Sequence, residues 1–163
     1  MGTRRLMLLR HAQAQPESEQ AADFERPLTA HGEVEAAAVA RRIALLGAPD
    51  VILASPAERT RRTALIVAQS CRMSTAHVRF EPSLYLGGPD AIWAELTRRT
   101  SAESVVLICG HNPGLSQLAG RLGQTLERVD LPTAGLSVAD WSQGEWCTVR
   151  PEEADRRTLV QNE

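Results

Sequence analysis

Lysine does not occur in this chain of 163 residues, and all 18 basic side chains are arginine. Its absence excludes a lysine-dependent phosphate loop, a Schiff-base lysine and a lysine general base. The chain also lacks an apolar run near the ~18 residues of a membrane span, and the run at residues 6–9 ends at Arg10, too early for a signal peptide. Its three cysteines have no CxxC spacing and suggest neither a disulfide framework nor a zinc site. We therefore expect a reduced, cytoplasmic protein without a metal or other cofactor.

Composition and charge are ordinary for a globular protein. Hydrophobic residues make up 43% and charged residues 23% of the chain, which favours one folded domain spanning residues 1–163. The net charge of −2 gives no broad positive field, so neither nucleic acid nor an anionic membrane is an expected partner. Arginine is left as the cation for binding an anion, and its planar guanidinium group suits phosphate or carboxylate. The oligomeric state is not specified, and a monomer is the default.

Apolar runs typical of strands alternate with helical patterns along most of the chain. This alternation predicts an α/β fold, a three-layer α/β/α sandwich with a mostly parallel central sheet and no cap domain. Two late runs on either side of residues 142–144 predict a C-terminal antiparallel hairpin, and the polar tail after about residue 151 is expected to fray. The predicted strands are 6–9, 51–54, 78–80, 105–109, 136–141 and 146–150, and the predicted helices are 33–46, 57–70, 91–99 with Asp90 as N-cap, and 115–122.

Arginine and histidine follow three of the predicted strands. Arg10 and His11 come directly after the first strand. Arg59 lies one turn into the helix that follows the second strand, and His111 comes after the strand at 105–109. In open α/β sheets, ligands bind beyond the carboxyl ends of the strands. The sequence therefore predicts that these four side chains meet at one edge of the sheet.

This set of side chains suits phosphoryl transfer through a phosphohistidine. A neutral imidazole is a nucleophile near neutral pH because its ordinary pKa is ~6.5. Two guanidinium groups can hold the phosphoryl oxygens, and a second imidazole adds another donor. Because arginine can neutralise the phosphoryl charge, the reaction needs no metal ion. Four histidines without neighbouring cysteine or HxxxH spacing do not suggest a metal site either.

Four short motifs occur in order between about residues 6 and 118. They are Leu9-Arg10-His11-Ala12, Arg26-Pro27-Leu28-Thr29 with Gly32, Ser55-Pro56-Ala57-Glu58-Arg59 with Thr63, and Gly110-His111-Asn112-Pro113-Gly114. In this order they resemble the successive motifs of the histidine phosphatase superfamily, which includes the phosphoglycerate mutases. The segment 131–135 is also similar. The short chain and the missing cap insertions are most similar to the SixA-type phosphohistidine phosphatases.

The resemblance implies a role for each motif residue. His11 would be the nucleophile that is transiently phosphorylated. Arg10 and Arg59 would bind the phosphoryl oxygens, and His111 would contact the same group and stabilise its transition state. Arg26 would be an additional phosphate or substrate contact. The implied activity is hydrolysis of a protein-borne phosphohistidine through a covalent phospho-His11 intermediate.

The general acid of the related phosphomonoesterases and mutases has no clear counterpart here. Those enzymes supply a glutamate from an insert that partly covers the site, whereas the corresponding stretch, residues 81–88, is short. Glu81 and Asp23 are candidates for the acid, and Asp23 could instead orient Arg26 or a histidine. An alkoxide needs protonation on leaving more than a histidine imidazole does. The missing acid therefore favours phosphohistidine as the substrate.

Other interpretations stay open. A phosphatase for a small phosphomonoester is favoured if a general acid lies near the pocket, and a phosphate-binding module without turnover is a third hypothesis. A mutase is least favoured, because a retained intermediate would favour an enclosed site. Away from the motifs, Arg61 and Arg62 are expected on a solvated helix face, and His31 and His77 are expected to be structural or exposed.

Overall fold

The computed structural model describes residues 2–100, 102–125 and 127–160, and it contains a six-stranded sheet with α-helices between the strands. The strands are β1 Arg4–Arg10, β2 Val51–Ala54, β3 Val78–Phe80, β4 Val105–Gly110, β5 Leu136–Trp141 and β6 Arg156–Val160. The α-helices are α1 Ala30–Leu46, α2 Glu58–Ser70, α3 Pro89–Arg99 and α4 Gly114–Arg121. Short 3₁₀ turns lie at Asp23–Glu25, Thr75–His77, Pro82–Leu84 and Pro151–Glu153.

The sheet is mixed but mostly parallel. Its strand order is β3-β2-β4-β1-β5-β6. The first four strands in that order pair in parallel, whereas β5 runs antiparallel to both of its neighbours. Because β1, β2 and β4 are parallel neighbours, the residues that follow them emerge at the same edge of the sheet.

The hydrophobic core lies on both faces of the sheet. Alternate residues of β1 belong to two separate clusters, as expected for a strand whose side chains point alternately to opposite faces. One cluster includes Leu6 and Leu8 with Leu96 of α3 and Leu118 of α4. The other includes Met7 and Leu9 with Val39 of α1 and Val67 of α2. The two clusters confirm the predicted three-layer α/β/α sandwich.

The C-terminal antiparallel pair is present, but the sequence analysis placed its second strand wrongly. The partner of β5 is β6, Arg156–Val160, rather than residues 146–150. Trp146 is buried, with its ring 5.6 Å from that of Trp141 and its indole N–H donating to Glu103 O at 2.7 Å. The apolar residues of the predicted strand therefore fill the core from a loop. The tail expected to fray after about residue 151 instead forms the edge strand β6.

Two helices begin earlier than predicted. Helix α1 begins at Ala30 rather than residue 33, because the Thr29 hydroxyl accepts from the Gly32 N–H at 2.9 Å and caps it. Helix α3 begins at Pro89 after Gly88, so Asp90 lies in its first turn and is not the N-cap. In the described part of the chain, no helix is long and apolar enough to cross a membrane.

Candidate active site

Arg59 connects the two histidines at the carboxyl edge of the sheet. It is the second residue of α2, and only 3% of its surface is exposed. Its Nε donates to His11 Nε2 at 3.3 Å, and its Nη2 lies 3.2 Å from His111 Nδ1. The two imidazole rings are 5.4 Å apart between centroids. Three of the side chains singled out from the sequence are therefore in direct contact.

Strand topology explains this convergence. His11 and His111 directly follow β1 and β4, which pair in parallel with Arg10 opposite Gly110. Helix α2 follows β2, the other neighbour of β4, and carries Arg59 in its first turn. The Thr63 hydroxyl accepts from the Ala12 N–H at 3.1 Å and donates to Arg59 O at 2.7 Å, so α2 is also fixed to the segment after β1.

The hydrogen bonds assign a tautomer to each histidine. His11 Nδ1 lies 2.7 Å from the carbonyl oxygen of Ala12, which can only accept, so the proton is on Nδ1, and the lone pair of Nε2 accepts from Arg59 Nε. His111 Nδ1 accepts from Arg59 Nη2, so its proton is on Nε2, 2.8 Å from Ser55 Oγ. The unprotonated Nε2 of His11 thus faces the guanidinium group of Arg59.

Both histidines are neutral at pH 7. Burial lowers the pKa of His11 to about 4, opposed by the hydrogen bond to Ala12 and reinforced by the charges of Arg59 and Arg10. Burial likewise lowers the pKa of His111 to about 3, with Arg59 as the next largest cause. A neutral imidazole is the form that can act as a nucleophile.

Asp23 lies at the exposed side of this cluster and accepts from two arginines and a tyrosine. Its Oδ2 accepts from Arg59 Nη2 at 3.1 Å and from the Tyr85 hydroxyl at 2.6 Å, and its Oδ1 accepts from Arg26 Nη1 at 2.9 Å. The carbonyl oxygen of Asp23 accepts from Arg59 Nη1 at 2.6 Å. The bond from Tyr85 and those from the two arginines hold the pKa of the Asp23 carboxyl well below its usual range. Asp23 is therefore ionised at neutral pH.

Arg10 is the last residue of β1 and directly precedes His11. Its Nη1 donates to Leu131 O at 3.0 Å, an acceptor that it shares with Asn112 Nδ2 at 2.9 Å. Within the residues that the structure describes, its buried Nε has no hydrogen-bond partner. A buried donor without a partner is rare, and this one is a candidate for a bond to an anion.

Tyr85 and Ser55 were missed as site residues by the sequence analysis. The ring of Tyr85 packs edge-on against His111 at 5.5 Å and against Phe24 at 5.1 Å. Ser55 directly follows β2, so the strand-end rule that selected the histidines could also have selected it. No sequence signal could have found Tyr85, because its bond to Asp23 spans 62 residues.

The remaining predicted residues lie apart from the Arg59 contacts. Glu81 is buried, and its backbone N–H donates to Ala54 O at 2.9 Å at the end of β2. Its role as an acid stays a prediction. Arg61 lies over the ring of Phe80 at 4.2 Å, and Arg62 is paired with Glu33 at 2.8 Å. His31 and His77 are exposed, and no group of three potential metal ligands occurs in residues 2–100, 102–125 and 127–160.

Comparison with known proteins shows the family of this chain. The family model described as "Histidine phosphatase superfamily (branch 1)" matches residues 6–84. A solved structure from Nakamurella multipartitia, provisionally assigned as phosphohistidine phosphatase SixA, is 30% identical, with a TM-score of 0.82 over 99% of this chain and 97% of that one. The chain belongs to the histidine phosphatase superfamily. It is a SixA-like phosphatase of that superfamily.

Two further proteins are similar to this chain. A protein of Agrobacterium tumefaciens with the same provisional SixA assignment is 27% identical, with a TM-score of 0.74 over 86% of this chain and 92% of that chain. An uncharacterized chloroplastic protein of Arabidopsis thaliana is 36% identical over 129 residues, which are 74% of this chain and 59% of the plant protein. The chain thus spans less than two thirds of that relative. The expected cytoplasmic location stays a prediction.

Proposed function

We propose that this phosphatase hydrolyses phosphohistidine carried by a protein, in two steps through a covalent phospho-His11 intermediate. The observation that carries this proposal is the unprotonated Nε2 of His11, which faces Arg59 at 3.3 Å while Nδ1–H is held by Ala12 O at 2.7 Å. A neutral, oriented imidazole beside a fixed cation is ready to attack an anionic phosphoryl group.

In the first step, the lone pair of His11 Nε2 forms a bond to phosphorus as the bond to the leaving group breaks. The ring of His11 becomes positively charged, and its Nδ1 proton stays in the hydrogen bond to Ala12 O. This bond stabilises the phosphorylated imidazolium without a proton transfer. In the second step, water attacks the same phosphorus, phosphate is released, and His11 returns as the neutral imidazole.

We assign four side chains to the binding of the phosphoryl oxygens. Arg59 donates from its Nε to His11 Nε2, and the buried Nε of Arg10, the residue before His11, has no hydrogen-bond partner among the described residues. Arg26 lies beyond Asp23 and can contact the substrate from the mouth of the site. His111 is held between Arg59 and Ser55 at the same edge of the sheet. Phosphoryl transfer depends mostly on such positioning and on electrostatic stabilisation, so arginines can replace a metal ion here.

The ionised state of Asp23 favours phosphohistidine over a phosphate ester as the substrate. An alkoxide leaving group needs a proton from a general acid. The pKa of Asp23 lies well below its usual range, so this carboxyl group holds no proton to donate at neutral pH. An imidazole leaves without such an acid when its ring is already protonated. The similarity to structures provisionally assigned as phosphohistidine phosphatases supports the same choice.

The test compares phosphate release from a phosphohistidine peptide and from para-nitrophenyl phosphate, both with EDTA present. The wild type is expected to prefer the peptide, and His11→Ala to lose roughly 10³-fold or more in kcat. His77→Ala is the matched control, because His77 is exposed and bonded to Asp50 O, at the opposite end of β2 from the site. Preference for the ester would favour a small phosphomonoester as substrate. Phosphate binding without release from either compound would indicate a binding module.

A further inference from the structure

Asp23 places a carboxylate at the mouth of a site otherwise lined by arginine and imidazole. Its Oδ2 and His11 Nε2 are bonded to the same guanidinium group, at 3.1 and 3.3 Å, so the carboxylate lies within two hydrogen bonds of the nucleophile. Its side chain is 31% exposed, whereas that of Arg59 is 3% exposed. The carboxylate therefore lies on the side from which a substrate must approach.

A negative charge in this position opposes the binding of a phosphoryl dianion. Holding Arg59 does not by itself require the carboxylate, because the carbonyl oxygen of Asp23 already accepts from the same guanidinium group at 2.6 Å. Among the residues that the structure describes, the carboxylate accepts three hydrogen bonds, from Arg26, Arg59 and Tyr85. A carboxylate has about four acceptor positions, so one is left for a donor from the substrate.

We infer that Asp23 accepts a hydrogen bond from the leaving imidazole of the substrate and keeps that ring protonated while its phosphoryl group is transferred. This inference rests on the proposed function. Asp23 then acts as a hydrogen-bond acceptor that keeps the leaving imidazole protonated, rather than as a general acid.

The chemistry is then an exchange between two similar rings. The substrate ring enters with phosphorus on one nitrogen, a proton on the other and a positive charge. As His11 Nε2 bonds to phosphorus, the electron pair of the breaking P–N bond moves onto the ring nitrogen that carried the phosphoryl group. The substrate leaves as a neutral imidazole with its proton still facing Asp23, and the positive charge passes to His11. Ala12 O holds the proton of His11 as Asp23 holds that of the substrate.

This role distinguishes imidazole from other leaving groups. A phenolate or alkoxide has no N–H group to donate and leaves with a negative charge, which the carboxylate repels. Asp23 therefore assists phosphohistidine and disfavours phosphate esters, which makes it a determinant of specificity.

The test is Asp23→Asn, measured with a phosphohistidine peptide and with para-nitrophenyl phosphate across pH. The variant keeps the size of the side chain and removes its charge. We expect about a 10²-fold loss of kcat with the peptide, and unchanged or higher activity with the ester. With the peptide, the alkaline limb of the pH profile is expected to move at least about one unit toward lower pH, because a carboxylate in hydrogen-bond reach raises the pKa of an imidazolium.

The alkaline limb of the pH profile does not come from the titration of the groups that face Asp23. The guanidinium groups of Arg26 and Arg59 donate to its carboxylate, and the pKa of His111 is lowered to about 3 by its burial. The bond to Asp23 raises the pKa of Tyr85 above its ordinary value. Tyr85→Phe, which keeps the carboxylate, is expected to change kcat by the same factor with both substrates. Glu25→Gln, which removes a charge from the same 3₁₀ turn, is the matched control.

The outcomes separate this inference from the proposed function. The inference is wrong if the wild type releases phosphate from the peptide but Asp23→Asn lowers kcat equally with both substrates and leaves the alkaline limb in place. Asp23 then only positions Arg59. If wild type releases no phosphate from the peptide, the proposed function fails and the inference fails with it. Thermal unfolding of each variant identifies any loss that comes from misfolding.

Discussion

Acidification is expected to destabilise this protein through its two buried histidines. In the unfolded chain each imidazole titrates near 6.5, whereas burial lowers the pKa of His11 to about 4 and that of His111 to about 3 in the folded chain. Between these values the unfolded chain binds more protons, so the free energy of unfolding falls as pH falls from about 6.5. At about 1.4 kcal/mol per pKa unit, each histidine contributes a loss of about 2 kcal/mol between about pH 7.5 and 5.0.

Urea unfolding at these two pH values, followed by tryptophan fluorescence, measures the effect. Trp141 and Trp146 are buried, so their emission reports global unfolding. The wild type is expected to lose about 4 kcal/mol from the two histidines, and His11→Asn about 2 kcal/mol less than the wild type. Asp23 does not interfere, because its pKa is lowered from 3.8 and its stabilising effect is lost only below about pH 4.

Exposed histidine provides the control for this measurement. His77→Asn is expected to keep the full pH dependence of the wild type, because His77 is exposed. An equal loss on acidification in His11→Asn and the wild type would show that His11 is not a buried neutral base, and the assignment of its protonation state would be wrong.

Two further substitutions test the arginine cluster and the backbone beside it. Arg59→Lys is expected to lower kcat with a phosphohistidine peptide by about 10³-fold, because a point charge cannot bridge the groups that the guanidinium group joins. Arg62→Lys on the same helix is the control and should keep a kcat near that of the wild type. Equal losses of kcat in the two variants would contradict the assignment of Arg59 to the site. Gly114→Ala is expected to lower the free energy of unfolding by about 1–3 kcal/mol in urea titrations, because a Cβ there would lie 2.1 Å from Gly87 O. Gly88→Ala, where nothing lies within 4 Å, is its control, and a neutral Gly114→Ala would refute the close approach.

Much of the fold followed from local patterns. The apolar runs of β1, β2 and β4 predicted buried parallel strands, and both faces of these strands are covered. The edge strand β6 could not be found in this way. Most of its residues are exposed, and it pairs with β5 along one side only. Its sequence therefore shows no alternation of hydrophobic and polar residues that would predict a strand. Residues 146–150 were mistaken for it because the buried Trp146 and Val149 resemble a strand in sequence while packing from a loop.

For the site, the sequence by itself determined that His11, Arg59 and His111 meet. Parallel strands end at one edge of a sheet, so residues that follow them must converge, and this rule placed His11, Arg59 and His111 together. Only the tertiary structure decided their protonation and their partners. Burial makes both imidazoles neutral, and the fold brings Tyr85 to Asp23 across 62 residues of chain. Desolvation and hydrogen bonds between distant segments depend on the packed molecule, and no short stretch of sequence encodes them.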